Sequence, residues 1–420
     1  MELFTIVLLM IYFIALYFTV FWVIVFMESD NDYPKQKSSS SKTPLVSIIV
    51  PAYNEEESIN KTLQSILSLE YPKEKMQIIV VDDGSNDKTA ENVRQIIAQN
   101  SQYNISLIQQ KNSGKGAALN NALKFCKGDF FACLDADSFV HSETLKKMIA
   151  QFMSSEEDVV IITPALKVSE PKKFWQKVQA IEYILSIFIA KLMSKVDCLY
   201  VAPGPFSIYK TKVIRDLGGF DENNLTEDQE IAYRVQQNQF KIKQCHSAYV
   251  YTNAPKTLKE LYNQRNRWFK GGLFNAVKYK NMLLNKTYGD FGILQMSINV
   301  MLFIFSLTTI GFFSYYTIYP FFKNLHNFYL VGFDIMPLLR DSFVLNFDIL
   351  SFDITTMLII NISLFITVLL IYISYKNADQ NLSFAEILFL LPYLFIYYII
   401  LSFIAVIIMI ELFIGKKQKW

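Results

Sequence analysis

The sequence is poor in the side chains that build most zinc and nucleophile sites. Its 420 residues include three histidines and four cysteines. The cysteines show neither CxxC pairing nor metal-ligand spacing, so we expect small buried thiols in a reducing compartment rather than a zinc site or a disulfide framework. No histidine accompanies a serine or cysteine in a nucleophile motif, which leaves a hydrolase triad without support.

Charge is also scarce, and apolar residues replace it. Charged residues make up 19% of the chain and apolar residues 52%, against roughly 25% and about 45–50% in soluble domains. The net charge is only +2, and no arginine-rich tract or basic stripe runs through the sequence, so nucleic acid is not expected as a partner. The balance is typical of a membrane protein with a sizeable soluble part.

Long uncharged runs predict transmembrane helices. Residues 3–26 are long enough to cross about 30 Å of hydrocarbon, and they lack the basic start and the small-residue cleavage site of a signal peptide. We therefore predict an N-terminal transmembrane helix at 1–27. Further apolar runs at 292–319, 355–374 and 385–413 predict a C-terminal transmembrane region within 291–420. The expected location is the plasma membrane, with several passes through the lipid bilayer.

The distribution of lysines predicts the orientation. A polar linker at 28–44 carries Lys35, Lys37 and Lys42, whereas no basic residue precedes the first span, so the domain that follows is expected in the cytoplasm. The apolar segment 325–350 is interrupted by charges. It is either an external loop or a re-entrant segment, and only the second would place the C-terminus in the cytoplasm.

Residues 45–255 have the pattern of an α/β domain. Apolar strands at 46–54, 76–85, 103–110 and 129–138 alternate with segments of helical spacing, which indicates a mostly parallel sheet covered on both faces. Ligands on such sheets bind at the carboxyl ends of the strands. Polar residues collect at those ends: Tyr53, Asn54, Asp82, Asp83, Asp135 and Asp137.

The sequence "LDADS" places two carboxylates at the end of a strand. If the extended backbone continues past Leu134, Asp135 and Asp137 project to the same side. Two hard oxygen ligands with several open positions suit Mg²⁺ or Mn²⁺ held jointly with phosphate oxygens. The alternative is an ordinary solvated turn.

The stretch "NSGKGAALN" fits neither standard glycine-rich phosphate motif. It lacks the earlier glycine of a P-loop, and Leu119 stands where a dinucleotide fingerprint has its third glycine. Lys115 nevertheless lies between two glycines at a predicted helix start, where it either contacts an anion with help from the helix N-terminus or is an ordinary turn lysine.

A capping box is predicted where "LTEDQE" begins a helix. Thr226 and Gln229 have the required spacing, which places Glu227 and Asp228 in the first turn. Acidic residues there commonly complement the helix dipole. The same dipole would lower the pKa of a catalytic carboxylate, so both interpretations stay open at this point.

A second predicted capping box, Thr257 with Glu260, opens a helix over 256–280 that carries "QRNRW". Gln264, Arg267 and Trp268 share one face of that helix. Arginine binds phosphate through two parallel bonds, and an indole offers a flat surface to a sugar ring. An interfacial helix whose Trp and Arg mark the lipid headgroup level is the other interpretation, and the two are compatible.

Taken together and in this order, "VPAYNEE", "VVDDGSND", "LDADS", "LTEDQE" and "QRNRW" resemble the membrane-bound family 2 glycosyltransferases. That group has the GT-A fold and includes cellulose, hyaluronan and poly-N-acetylglucosamine synthases. The resemblance covers about 46–272. It implies an α/β GT-A domain with a mostly parallel sheet, joined to transmembrane and interfacial helices.

The resemblance implies a nucleotide-sugar site on the first half of the sheet. Tyr53 and Asp83, with Asp82 beside it, would hold uracil and ribose. Asp135 would touch the nucleotide, and Asp137 with Asp135 would hold Mg²⁺ or Mn²⁺ at the diphosphate.

The later motifs are implied to act on the acceptor. Asp228, with Glu227 beside it, would be the base that takes the proton of the acceptor hydroxyl. Gln264, Arg267 and Trp268 would close the site over the diphosphate and hold the acceptor sugar. A single displacement then inverts the anomeric carbon and gives a β-linkage.

The resulting hypothesis is an inverting enzyme that uses a UDP-sugar, with UDP-N-acetylglucosamine favoured, and extrudes a growing polysaccharide. Transfer of one sugar to a membrane lipid is the alternative. A third hypothesis is a non-catalytic membrane module that binds nucleotide or exports a glycan made elsewhere. The expected partners are a UDP-sugar donor, a glycan or lipid acceptor, the bilayer, and a helper subunit or second copy. Residues 172–197 are expected to form an interfacial helix that lines a translocation path, or else a buried hairpin helix.

Overall fold

The computed structural model describes residues 3–28, 43–330 and 354–415. These residues divide into two compact units on either side of residue 298. Most of the predicted linker, most of the segment 325–350 and the last five residues lie outside the described residues.

The first unit contains one sheet of eight strands in the order β3-β2-β1-β4-β7-β6-β8-β5. Four of its seven strand pairings are parallel, and three are antiparallel. The strands are β1 (Val46–Ala52), β2 (Met76–Asp82), β3 (Asn104–Gln109), β4 (Phe130–Cys133), β5 (Phe139–Val140), β6 (Val159–Val168), β7 (Ser207–Lys210) and β8 (Lys241–Thr252).

The four strands predicted from apolar runs are confirmed as β1 to β4, and they pair in parallel. β1 and β2 are buried almost throughout. The expectation of complete burial is wrong for β3, whose residues alternate between exposed and half-buried, because β3 forms an edge of the sheet and has a neighbour on one side only.

Nine α-helices belong entirely to the first unit among the described residues, besides short 3-10 and π-helical turns. Three of them, between β1 and β4, match the predicted helical segments. The nine helices are α1 (Leu3–Met27), α2 (Ile59–Leu67), α3 (Thr89–Gln99), α4 (Lys115–Phe125), α5 (Thr144–Ser154), α6 (Phe174–Lys195), α7 (Thr211–Asp216), α8 (Glu227–Gln237) and α9 (Leu258–Lys278).

The side chains of the parallel strands alternate between two cores, one on each face of the sheet. Ile48 and Val50 of β1 pack with residues of α2, α3 and α5, whereas Ile49 between them packs with residues of α4 and α8. The four cysteines are buried and free, as their scattered spacing predicted. Burial raises the pKa of each thiol, which suits an inert packing role.

α6 is packed against the sheet along much of its length. Gln176, Ile184 and Phe188 are buried, Ser194 Oγ accepts a bond from the Gln244 N–H of β8 at 2.9 Å, and the Phe188 ring lies edge-on to Phe26 of α1 at 5.5 Å. Burial of this extent agrees with the packed alternative for 172–197. The proposed interfacial position stays a prediction.

The second unit is helical. Among the described residues of both units, two helical stretches are long and apolar enough to cross a bilayer, Phe291–Asn327 and Glu386–Leu412. A shorter apolar stretch, Asn361–Asn377, lies in the second unit, and another, Leu16–Met27, lies in the first. Short π-helical turns interrupt the longer stretches. The helices are α10 (Met296–Phe313), α11 (Tyr319–Leu330), α12 (Ile354–Asn377), α13 (Phe384–Pro392) and α14 (Tyr398–Phe413).

Candidate active site

The two aspartates at the carboxyl end of β2 are buried and hydrogen-bonded to the protein itself. The Asp83 carboxylate accepts bonds from the backbone N–H groups of Ser113 and Gly114, each at 2.9 Å. Asp82 accepts from the backbone N–H of Ser85 at 2.9 Å and from the side-chain amide of Gln109 at 2.9 Å. Asp83 thereby fixes the turn that leads into α4.

Tyr53 follows β1 on the same edge of the sheet and is exposed, with 46% of its surface accessible. Next to it, Asn54 adopts a positive φ of 55°, and its carbonyl oxygen Oδ1 accepts the Asn86 N–H at 2.9 Å. The loops after β1 and β2 are therefore tied together, and they present an aromatic ring to solvent beside Asp82 and Asp83.

Lys115 joins two motifs whose paired carboxylates, Asp135 and Glu227, lie 92 residues apart in the sequence. Its ammonium lies 2.6 Å from Asp135 Oδ1 and 3.0 Å from Glu227 Oε1. Burial by itself would lower the pKa of Lys115. The negative charges of Asp135, Glu227 and Asp228 have the larger effect, so the pKa of Lys115 is raised. The side chain is thus a fixed cation at the start of α4, between "LDADS" and the helix of "LTEDQE".

A loop before β7 closes over this ion pair. A Cβ atom on Gly204 would lie 2.6 Å from Lys115 Nζ and 2.9 Å from Asp135 Oδ2, closer than side chains approach. Any other residue at this position would push the ends of the Lys115 and Asp135 side chains aside. The same loop is attached to β4 through the Phe206 N–H, which donates to the Cys133 carbonyl.

The strand that carries "LDADS" ends at Cys133, and the backbone does not continue extended. Residues 135–138 form a turn, closed by the Ser138 N–H on the Asp135 carbonyl at 3.0 Å. Burial and then the charge of Asp135 raise the pKa of Asp137. The two carboxylates are therefore close enough to repel each other, although the predicted extended geometry is wrong.

These two aspartates pass a chemical test for a divalent cation. Among the described residues, no three His, Cys, Asp or Glu side chains form a metal-binding group. The pair of carboxylates on this turn carries two negative charges, and Lys115 forms an ion pair with one of them, Asp135. Two oxygen ligands leave the remaining positions to phosphate oxygens and water, as Mg²⁺ commonly requires. The donor set fits a metal that binds together with a nucleotide.

α8 begins at Glu227, as predicted, but its capping box is wrong. The Thr226 side chain accepts no bond from the helix backbone, and its hydroxyl lies 3.4 Å from Gln229 Oε1 instead. The Gln229 N–H donates to Asp228 Oδ1 at 2.8 Å. Asp228 therefore binds an N–H group of the first turn, which also donates to the Thr226 carbonyl at 3.2 Å.

The expected lowering of the pKa at this helix start is wrong for Asp228. Burial first, and the charge of Glu227 second, raise the pKa of Asp228 to about 6, against the opposing charges of Lys115 and Arg267. The dipole contribution is small compared with the cost of removing a carboxylate from water. A carboxylate with this pKa is ionised at neutral pH and is a stronger base than an ordinary aspartate.

α9 packs on the start of α8 through a glycine. A Cβ atom on Gly271 would overlap the Thr226 side chain, so the absence of a side chain permits the close approach of the two helices. Four residues on, Asn275 donates to Thr226 Oγ1 and to Gln229 Oε1, each at 3.1 Å, and its Oδ1 accepts from Asn224 at 2.7 Å. This buried network fixes α9 relative to Asp228.

The three predicted residues of α9 lie in the middle of the helix, before the residues that pack on α8. Gln264, Arg267 and Trp268 are half-buried, and the positive charge of Arg267 is close enough to lower the pKa of Asp228. Thr257 caps the helix, because its hydroxyl accepts the Glu260 N–H at 3.2 Å. The Glu260 carboxylate accepts the N–H of Lys256.

The arginine two residues before Arg267 contacts both α6 and the Trp268 ring. Arg265 donates to Glu182 of α6 at 2.5 Å, and its guanidinium lies 4.4 Å from the centre of the Trp268 ring. The pair holds the indole against α6. Glu182 and Gly204 could not be recognised from the sequence, because nothing in the local pattern around them differs from a surface helix or a loop.

Glu55 was also missed. Burial, with further contributions from the charges of Asp137 and Asp135, raises its pKa, so this carboxylate of the "VPAYNEE" loop lies near the turn at 135–138. Its place in the motif was visible in the sequence, but its proximity to the aspartates was not.

This geometry coincides with a known family of domains. Residues 47–218 match the glycosyl transferase family 2 model, and they include Tyr53, Asp82, Asp83, Lys115, Asp135 and Asp137. Over these residues the chain is therefore similar to the glycosyltransferase family 2 domain, in agreement with the resemblance of its motifs.

Among curated proteins, the chain is similar to poly-beta-1,6-N-acetyl-D-glucosamine synthases. It is 29% identical to that of Staphylococcus epidermidis over 256 residues, which cover 59% of this chain and 61% of the relative. It is 31% identical to that of Staphylococcus aureus strain COL over 247 residues, 57% of this chain and 59% of the relative. The chain thus spans about three fifths of the length of these relatives.

The fold is shared with a solved structure. A mannosyltransferase from Pyrobaculum calidifontis, in complex with GDP-Man and Mn²⁺, superimposes with a TM-score of 0.54 and 19% identity, over 79% of this chain and 97% of that chain. At this identity the likeness concerns the fold, and it agrees with the GT-A architecture of the mixed, mostly parallel sheet.

Proposed function

We propose that the chain transfers N-acetylglucosamine from UDP-N-acetylglucosamine to the end of a β-linked polysaccharide, with inversion at the anomeric carbon. One observation carries the proposal. Lys115 joins Asp135 of the nucleotide-binding edge to Glu227, the neighbour of Asp228. A donor site and a candidate base, which the sequence separates widely, are thus held in one charged cluster.

Under this proposal the first half of the sheet binds the donor. Tyr53 presents its exposed ring to the uracil, and Asp82 and Asp83 lie at the ribose. Asp82 and Asp83 also accept hydrogen bonds from the surrounding loops, so they contribute to both binding and folding. Asp137 and Asp135 would hold Mg²⁺ or Mn²⁺, which stabilises the negative charge of the departing diphosphate when it is bound.

Asp228 acts as the base. With a pKa of about 6, its carboxylate is mostly ionised at pH 7 and accepts the proton of the acceptor hydroxyl. The hydroxyl oxygen forms a bond to the anomeric carbon as the bond to the diphosphate breaks, and UDP leaves with its electron pair. Glu227 holds Lys115 in place beside this carboxylate.

α9 supplies the residues on the other side of the reacting groups. Arg267 brings a guanidinium to the diphosphate, where a fork of N–H donors stabilises the charge that develops. Trp268, held by Arg265, offers its flat ring to the acceptor sugar. Gln264 lies one turn before them on the same face.

The membrane arrangement is part of the proposal. Residues 45–255 would be cytoplasmic, 1–27 and 291–420 would supply the transmembrane helices, and 172–197 and 256–280 would lie at the lipid surface. The two long apolar stretches support membrane association. Extrusion of the product would follow from processive synthesis at that surface.

The test uses purified full-length protein in lipid nanodiscs with Mn²⁺ or Mg²⁺. Labelled UDP-N-acetylglucosamine, UDP-glucose and UDP-galactose are presented one at a time, and the products are sized by gel filtration. We expect high-molecular-weight material from UDP-N-acetylglucosamine. A single lipid-extractable product would replace the polymer by transfer to a lipid, and no transfer from any donor would overturn the proposal.

A further inference from the structure

A glutamine of α6 is buried without a partner. Gln179 is completely inaccessible to solvent, and neither its Nε2 nor its Oε1 has a hydrogen-bond partner among the described residues. Buried amides are nearly always hydrogen-bonded, so one with both atoms unpaired calls for an explanation. An apolar residue of the same size would fill this position at lower cost in stability.

The neighbours of Gln179 on α6 show what surrounds it. Three residues earlier, Gln176 donates to the Ala254 carbonyl at 3.2 Å. Three residues later, Glu182 accepts from Arg265 of α9. Residues three apart share a helix face, so Gln179 lies on the side of α6 that faces the segment from Ala254 to Arg265.

This side of α6 borders the proposed acceptor position. Arg265, the partner of Glu182, lies against the Trp268 ring. Next to Arg265 in the sequence, Gln264 also has a buried side-chain oxygen with no hydrogen-bond partner. The charges of Asp137 and Asp135 contribute to the raised pKa of Tyr183, the residue after Glu182, although burial is the main cause. A buried amide atom without a hydrogen-bond partner among the described residues therefore lies on each of the two helices, α6 and α9.

We infer that Gln179 binds the acetamido group of the N-acetylhexosamine unit at the acceptor end of the polysaccharide. The inference rests on the proposed function. A glutamine amide has one donating and one accepting side, and an acetamido group offers the matching pair: its carbonyl accepts from Nε2, and its N–H donates to Oε1. Both unpaired atoms are satisfied by one substituent, which a plain hydroxyl cannot do with the same spacing.

The test compares Gln179→Leu with the wild-type protein in lipid nanodiscs. Titration calorimetry with saturating UDP and Mn²⁺ measures the affinity for a β-1,6-linked N-acetylglucosamine trisaccharide and for the β-1,6-linked glucose trisaccharide. We expect the wild-type preference for the acetylated sugar to fall by about 10- to 100-fold in the variant, as the loss of two hydrogen bonds implies. The affinity for the glucose trisaccharide should not change, and the melting temperature should stay equal or rise.

Gln176→Leu is the matched control. It makes the same change one turn earlier on α6, but Gln176 is fully used within the protein: its Nε2 donates to the Ala254 carbonyl and its Oε1 accepts from the Lys173 N–H at 3.0 Å. We expect this variant to melt at a lower temperature and to keep the preference for the acetylated trisaccharide.

The inference is overturned if Gln179→Leu keeps the wild-type preference, whether or not its melting temperature falls. A fall would then identify a purely structural glutamine. Failure of the proposed function looks different, because wild-type protein would neither transfer sugar from UDP-N-acetylglucosamine nor bind either trisaccharide. If the wild type transfers sugar but Gln179→Leu keeps the preference for the acetylated trisaccharide, the inference about Gln179 is rejected and the proposed function stands.

Discussion

The ammonium of Lys115 lies 2.6 Å from Asp135 Oδ1 and 3.0 Å from Glu227 Oε1. This one side chain is the electrostatic link between the edge of the sheet and the helix that carries Asp228. Without it, three carboxylates would face one another across a partly buried site. Its removal should therefore be visible in the titration of Asp228 as well as in the rate.

We predict that Lys115→Met moves the acidic limb of the pH–rate profile upward. The charge of Lys115 lowers the pKa of Asp228, and the base works only when ionised, so transfer in the wild type should rise with pH through about 6. Loss of an adjacent opposite charge typically raises a carboxylate pKa by about one unit or more. The profile of kcat/KM for transfer measures the shift.

Lys124→Met is the control for this variant, because Lys124 is exposed in the last turn of the same helix. Its profile should match that of the wild type. An unchanged midpoint in Lys115→Met would show that Lys115 does not influence the base.

We predict that Asp137→Asn weakens Mn²⁺ binding in the presence of UDP by more than about tenfold, since the loss of even an outer-shell partner typically weakens binding by about 10- to 100-fold. Electron paramagnetic resonance of free Mn²⁺ reads this binding without turnover. Asp129→Asn, at an exposed carboxylate before β4, should bind Mn²⁺ as the wild type does. Equal affinity in Asp137→Asn would remove this residue as a metal ligand.

Two adjacent glycines of α9 form a natural pair for testing how the helix is placed. In Gly271→Ala the new methyl group overlaps Thr226, whereas in Gly272→Ala the nearest atom is Gln229 Oε1 at 3.6 Å, an ordinary contact. We expect Gly271→Ala to lower the free energy of unfolding by about 1–3 kcal/mol and to reduce transfer strongly, because α9 must move away from Asp228.

Gly272→Ala should be neutral or up to about 1 kcal/mol more stable, as alanine favours helices. Chemical denaturation and transfer assays on both variants measure these effects. Equal stabilities for the two variants would contradict the close packing of α9 on α8.

The raised pKa of Asp228 also predicts a dependence of stability on pH. Because the folded protein binds this proton more tightly than the unfolded chain, the contribution of Asp228 to stability is complete below about pH 4 and is lost as the pH rises through about 6. Asp228→Asn should therefore be more stable than the wild type at pH 7.5, on the order of 1–3 kcal/mol, and the difference should shrink at pH 5. Denaturation at both values checks this, and a variant less stable at pH 7.5 would contradict it.

The first half of the sheet could be predicted because β1, β2 and β4 are short apolar runs bounded by polar loops, a pattern that depends on local sequence alone. The later strands could not. β7 is only four residues long and runs antiparallel between β4 and β6, and β5 has two residues. Their pairing is decided by tertiary packing.

In the site, too, local features could be predicted from the sequence and long-range contacts could not. Asp135, Asp137, Glu227 and Asp228 stood out as acidic residues at strand and helix ends. The contacts that give them their properties did not, because Lys115, Gly204 and Glu182 act on partners far away in the chain. The direction of the pKa shift of Asp228 was mispredicted for this reason: the helix dipole is a local feature, whereas burial and the charge of Glu227 in the folded site decide the outcome.

The most direct test of the account is transfer by Asp228→Asn. Purified variant and wild type are given labelled UDP-N-acetylglucosamine and Mn²⁺ in nanodiscs, and UDP binding is measured on the same samples. The account predicts that the variant binds UDP nearly as tightly as the wild type and loses transfer by about 100-fold or more, as expected for a general base. Transfer at the wild-type rate would show that Asp228 is not the base.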